Sequence, residues 1–270
     1  MRTLVVLATL VFGLAGCATN PVTGRSQLML VSEQYAITTS KEAYVAQLAP
    51  YSKRGRINSD PALTARVLGI TEKLVAQAIT YRPETANWDW EIKVIDDPKT
   101  LNAWAMAGGK MAFYSGLAKT VNASDDEIAQ VMGHEIAHAL SAHTAEKMSV
   151  ALASDLALTG LAVASEGKGL ALSGGALAAA LAIKLPNSRT AETEADRIGI
   201  ELAAKAGYDP NAAVTLWEKM AREGSGGPPE FLSTHPASQS RIRALAALVP
   251  QMMPYYLDQR PRPVYTLSRR

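Results

Sequence analysis

Two histidines four residues apart, with a glutamate directly after the first, give His134-Glu135-Ile136-Ala137-His138 the form H-E-x-x-H. On a helix a step of four residues turns about 400°, so the two imidazoles stand one turn apart on one face. Both can then reach one tetrahedral Zn²⁺. Glu135 lies about 100° round from His134, too far to join that pair as a ligand. It is placed to take a proton from a water held by the metal. The chemistry of such a set is metal-assisted hydrolysis; the plain alternative is two surface histidines on an amphipathic helix.

Two imidazoles rarely hold catalytic zinc alone, so a third protein ligand is sought, with one position left for water. His143 stands half a turn away from His134 on a straight helix and misses the metzincin spacing. It reads as structural. His235, in Ser233-Thr234-His235-Pro236, is a reserve candidate. Glu192 is the best candidate, in Ser188-Arg189-Thr190-Ala191-Glu192-Thr193-Glu194-Ala195-Asp196. Glu192 and Asp196 share a helix face, so one can bind metal while the other takes the second N–H of a metal-bound histidine. Asp196 is expected in that supporting place, and Glu194 is expected to face out. An exposed acidic helix face would explain these acids if the segment stood alone.

The elements that must position these groups are readable. Ser124-Asp125-Asp126-Glu127 has the capping-box form, and Ile128, Val131, Met132, Ile136, Ala139 and Leu140 follow at helical spacing. Gly133 sits inside this helix at a cost of about 1 kcal/mol against Ala, which suggests that something packs closely there. Upstream, 32–48 is helical, with Tyr35, Tyr44, Val45 and Leu48 as buried positions. Asp60-Pro61 starts a second helix through Ile79. Residues 88–94 alternate as a strand, and 102–107 and 110–114 flank Gly108-Gly109 as a hairpin. Helices are expected at 192–206, ended by Gly207, at 211–223, and from His235 through Leu248. The Ala-, Leu- and Gly-rich stretch 150–185 reads as a buried helical pair or a mobile cover. Its apolar runs are too short for a membrane span.

At 270 residues and 48% hydrophobic content the chain can bury one good core. The expected fold is α+β and mostly helical, with a small β-sheet whose edge strand lies beside the H-E-x-x-H helix. A net charge of +2 with unclustered Lys and Arg is too small to imply nucleic acid, and no nucleic-acid partner is expected. The basic end, Arg260 to Arg270, reads as a solvated tail. Residues 1–16 have the layout of a secretion signal. Leu14-Ala15-Gly16-Cys17 resembles the bacterial lipobox, whose Cys carries lipid, and Ala18 resembles the sorting residue of outer-membrane lipoproteins. The expected division is signal 1–16, lipidated N-terminus and tether 17–31, catalytic domain 32–250 and tail 251–270.

The runs GHEIAH, SRTAETEAD and THPASQSRI, in that order, with NPVTGRSQLMLVSEQ and NAWAMAGGKMAFYSGL upstream, resemble the zinc metalloproteases that include HtpX, the CAAX prenyl proteases and the periplasmic lipoprotein proteases. The short outer-membrane members are the nearest in layout. The resemblance implies a zincin-like protease domain, one Zn²⁺ on His134, His138 and Glu192, and Glu135 as general base. It implies Asp196 as a proton donor or, more in keeping with its place, an orienting acid. It brings His235 to the zinc as a fourth ligand or an oxyanion group. It makes Asn102, Ala103, Trp104 and Ala105 a substrate-binding edge, as in thermolysin-type proteases. The implied function is an endopeptidase acting on unfolded or misassembled envelope proteins, anchored through Cys17 to the periplasmic face of the outer membrane. The alternative is a chaperone-like assembly factor whose zinc is closed by His235. A zinc aminopeptidase is disfavoured, because no G-x-M-E-N motif is present.

Overall fold

The computed structural model describes residues 17–164, 186–223, 230–235 and 239–268. The expected signal segment and residues 165–185 of the expected cover lie outside the described residues. Five strands occur in the described chain: β1 (Cys17–Thr19), β2 (Ser26–Leu28), β3 (Glu91–Ile95), β4 (Ala103–Met106) and β5 (Lys110–Tyr114). The helices are α1 (Glu33–Ser52), α2 (Pro61–Tyr81), α3 (Ser115–Lys119), α4 (Asp125–Leu140), α5 (His143–Ala164), α6 (Arg189–Ala206), α7 (Ala212–Glu223), α8 (Glu230–Thr234) and α9 (Gln239–Tyr256). The fold is α+β and mostly helical, as the sequence suggests.

The main sheet runs β3-β5-β4, with β3 parallel and β4 antiparallel to β5. Gly108 and Gly109 turn the β4–β5 hairpin with φ of 79° and 80°, which side chains disfavour. β5 is buried along its whole length, and its alternation divides the core. Met111 and Phe113 join Ile92, Val94 and the inner faces of α2, α4 and α6. Ala112 and Tyr114 point the other way, against Tyr44 and Leu48 of α1. Tyr35 and Val45, expected inside, are exposed at 49% and 67%. The buried stripe of α1 is set by Ala36, Ser40, Ala43, Tyr44 and Leu48, which turns those two to solvent.

α4 starts on the expected capping box, with Ser124 and Glu127 satisfying each other's backbone N–H. It crosses α6 at a point where both helices carry glycine. A Cβ on Gly133 would lie 2.7 Å from the Gly199 carbonyl oxygen, and a Cβ on Gly199 would lie 2.7 Å from His134 N. The cost of a mid-helix glycine is therefore matched to a close backbone approach.

Two end segments differ from expectation. The stretch read as a tether is folded: β1 and β2 pair across a turn in which Asn20 Oδ1 accepts from the N–H groups of Val22 and Thr23. Asn20 and Gln27 are buried and both donate to the Ser141 carbonyl at the end of α4. At the other end, the last helix runs to Tyr256, past Leu248 and the expected domain limit at 250. The segment beyond it is mostly exposed, as expected of the tail, but it is pinned near its end. Tyr265 N–H donates to the Glu72 carbonyl, Leu267 N–H donates to the Glu72 carboxylate, and Leu267 is buried. Among the described residues, no helix is long and apolar enough to cross a membrane.

Candidate metal centre and active site

His134 and His138 project from the buried face of α4, one turn apart as the spacing requires. Their Nε2 atoms lie 3.0 Å from each other. Glu192, in the first turn of α6, places Oε1 3.3 Å from His138 Nε2 and Oε2 3.5 Å from His134 Nε2. His235, just past α8, brings Nδ1 to 3.2 Å from His134 Nε2 and 2.9 Å from Glu192 Oε1. Among the described residues these four form the group able to hold a metal ion, and all are buried.

The donor set fits Zn²⁺ on geometric grounds. Four donors at zinc bond lengths of about 2.0–2.1 Å define a tetrahedron with edges of about 3.3 Å. The observed separations of 2.9 to 3.5 Å scatter around that edge. Three ring nitrogens this close also leave too few protons and acceptors to satisfy one another, whereas a cation would satisfy all of them.

Glu135 lies beside the cluster, with Oε1 3.3 Å from His235 Nε2 and without a hydrogen-bond partner among the described residues. Its Oε2 accepts from the Ala105 N–H at 3.2 Å. Burial lifts this carboxyl above the usual carboxylate range, despite the opposing pull of His235 and His134. For Glu192, by contrast, the penalty of burial is outweighed by His235 and His134, which hold it well below its ordinary value. Burial also disfavours charge on His134, yet Glu192 and Asp196 more than offset it and raise its pKa to about 9. His138 is pushed well below its ordinary value, chiefly by burial.

Asp196 stands behind the first histidine, its Oδ1 3.0 Å from His134 Nδ1. Arg241 forks onto this acid, Nε to Oδ2 at 2.6 Å and Nη2 to Oδ1 at 2.7 Å, and its Nη1 lies 2.5 Å from Glu192 Oε2. One guanidinium, packed 4.1 Å above the Trp217 ring, thereby spans both acids of the shared helix face. Sequence reasoning passed over Arg241, although it stands in the THPASQSRI run. Asn187 was also passed over; its Nδ2 lies 3.2 Å from His235 Nδ1. Phe231 stacks on the His235 ring at 4.5 Å and sets its plane.

Two expectations are corrected. His143 does not face elsewhere: α4 ends at Leu140, Ala142 adopts φ +54°, and the chain turns back. His143 Nδ1 then lies 2.8 Å from His138 Nδ1. Glu194 does not face out either. It meets His143, Thr23 and Arg25, and its side chain is 12% exposed.

β4 is an edge of the sheet, next to α4. Ala105 directs its N–H outward to Glu135, while the Asn102 carbonyl points inward and accepts from Tyr114. Asn102, Ala103 and Trp104 are buried and Ala105 is half-buried. Trp104, Ala105, Glu135, His138, Lys147, Asn187 and His235 line one cleft. Of the expected site residues, Trp104, Ala105, Glu135, His138 and His235 line this cleft, His134 and Glu192 complete the cluster beside it, and Cys17 is exposed on β1.

The sequence pattern of Peptidase family M48 matches residues 61–249. Over 237 residues the chain is 35% identical to the mitochondrial metalloendopeptidase OMA1 of Schizosaccharomyces pombe, covering 86% of this chain and 66% of that protein. It is 33% identical to the bovine OMA1 metalloendopeptidase over 92% of this chain and 49% of that protein. With the beta-barrel assembly-enhancing protease of Escherichia coli K12 it shares 31% identity over 73% of this chain and 41% of the relative. The chain thus spans from under half to about two thirds of the length of these relatives.

Proposed function

We propose a function on the premise that this chain belongs to peptidase family M48: it is a zinc metalloendopeptidase that cuts extended, locally unfolded polypeptides at the bacterial cell envelope. The observation that carries this reading is Glu135. One of its oxygens stands free beside the four-residue metal cluster while the other is tied to the backbone of the edge strand. Base and substrate edge are thereby held in one frame.

His134, His138 and Glu192 would hold the metal, with His235 able to occupy the fourth corner. Bound zinc would acidify a water and polarise a scissile carbonyl. Glu135 Oε1 takes the proton of the attacking water and returns it to the leaving amine. Asp196 accepts from His134 Nδ1 and so keeps the Nε2 lone pair directed at the cluster. Arg241 keeps both acids charged. A substrate added along the outer side of β4 would lie extended beside Glu135, with the main-chain groups of Ala103 and the Ala105 carbonyl as partners. That mode requires unfolded stretches, which supports misassembled envelope proteins as substrates. The lipobox-like Cys17, exposed at the start of the described chain, supports a lipid anchor on the periplasmic face of the outer membrane.

His235 favours a second reading. Its Nδ1 sits among the ligand atoms, so a metal held by all four residues would leave no corner for water, as a binding or assembly factor would require. Cleavage of an unstructured protein, followed by mass spectrometry with N-terminally blocked peptides, tests the proposal. Zinc-loaded protein should cut internal bonds and Glu135→Gln should not. A Glu135→Gln variant that fully restores a deletion strain's envelope would establish the second reading instead.

A further inference from the structure

A chain of side chains continues outward from the metal cluster through His138. His138 turns Nε2 to the cluster and Nδ1 to His143 Nδ1 at 2.8 Å. His143 turns Nε2 to Glu194 Oε2 at 3.0 Å. The other Glu194 oxygen accepts from Thr23 Oγ1 at 2.6 Å and from Arg25 Nε at 3.0 Å. Arg25 is itself held, Nη1 and Nη2 each 2.8 Å from the Glu146 carboxylate. His143 is 1% exposed.

With Glu194 as the acceptor at its end, this order gives each ring nitrogen a role. An ionised carboxylate only accepts, so His143 carries its hydrogen on Nε2 and donates it to Glu194. His143 Nδ1 is then bare and must accept, which puts the hydrogen of His138 on Nδ1. His138 Nε2 is left with its lone pair facing the cluster, the form a metal ligand needs. Glu194 anchors the chain, held in place by Thr23 and Arg25.

We propose that His143 is the positioning residue for His138, oriented by Glu194 and, through Thr23 and Arg25, by the N-terminal turn of the chain. The two helix histidines then have different supports: Asp196 directly behind His134, and Glu194 acting on His138 through a second imidazole. The inference rests on the cluster being a zinc site, and it gives the N-P-V-T-G-R turn a task at that site.

The test is zinc affinity of the full mature chain, by competition with a chromophoric chelator, beside thermal unfolding of the metal-free proteins. His143→Leu should weaken zinc binding about 10- to 100-fold. His143→Asn, whose Oδ1 can take the place of Nδ1 as acceptor, should recover most of that loss. Arg25→Met, which loosens Glu194 from the half-exposed rim, should weaken binding several-fold, and it serves if the His143 variants do not fold. A folded His143→Leu with unchanged affinity overturns the proposal. So does an Asn variant as weak as Leu, or Arg25→Met with unchanged affinity. Wild-type protein that binds no zinc refutes the metal reading itself, a separate result.

Discussion

Replacing Gly199 by Ala tests whether the α4–α6 crossing sets the metal geometry. The added Cβ would meet His134 N at 2.7 Å and His134 Cα at 2.8 Å. Ordinary carbon contacts are about 3.5–4.0 Å, so the helices must separate by close to 1 Å at this point. Both neighbours are backbone, so no side chain can swing away. Overpacking of this kind costs about 1–3 kcal/mol, while the gain in helix propensity returns about 1 kcal/mol. The net expectation is a loss of up to about 2 kcal/mol in the metal-free protein.

The larger effect should fall on zinc. Glu192 lies two turns up the same helix, about 10 Å from Gly199, so its carboxylate moves with α6. Zinc–ligand distances tolerate about 0.2 Å, so a shift near 1 Å should weaken binding by at least about tenfold. Urea unfolding of the metal-free variant and chelator competition of the folded one measure the two effects separately. A Gly199→Ala protein that is about 1 kcal/mol more stable than wild type and holds zinc equally well would refute the reasoning, since propensity alone would then decide.

Other outcomes follow from the same geometry. Glu135→Gln should lower peptide cleavage by about 10²- to 10⁴-fold with zinc content unchanged, read by steady-state kinetics and metal analysis. Arg241→Met removes the cation between Asp196 and Glu192 and should destabilise the metal-free protein by about 3 kcal/mol, with a smaller loss once zinc neutralises Glu192, as denaturant titrations would show. Chelation should lower the Tm of the wild type, because the ligands converge only in the folded chain. Burial would raise Glu127, but Lys219, the Ser124 N–H and Thr215 hold it below its ordinary 4.5. Its contribution should therefore be complete above about pH 4.5 and vanish as pH falls through the lower folded value. The stability gap between wild type and Glu127→Gln should close over that acid window.

The parts of the site that share one helix are visible in the sequence. His134, Glu135 and His138 follow from helical geometry alone; the same rule puts Glu192 and Asp196 on one face, and the family resemblance makes Glu192 the ligand. The β4–β5 hairpin follows from its glycine pair. What escapes is set where the chain leaves regular structure. Ala142 carries no preference for a positive φ, so nothing in its type announces that α4 ends there and that His143 swings back onto His138. Glu194 looks like a solvent-facing acid because its partners, Thr23 and Arg25, are brought to it only by the packing of the N-terminal turn. Gly133 did announce a close approach, yet nothing in its own helix told which element would meet it, and the partner is Gly199 of α6. Local rules thus find the groups that could touch the metal, and their violations point to the contacts that hold those groups still. A glycine inside a good helix, and three acids within five residues where one ligand would suffice, both mark α6 as the element against which the metal helix is fixed.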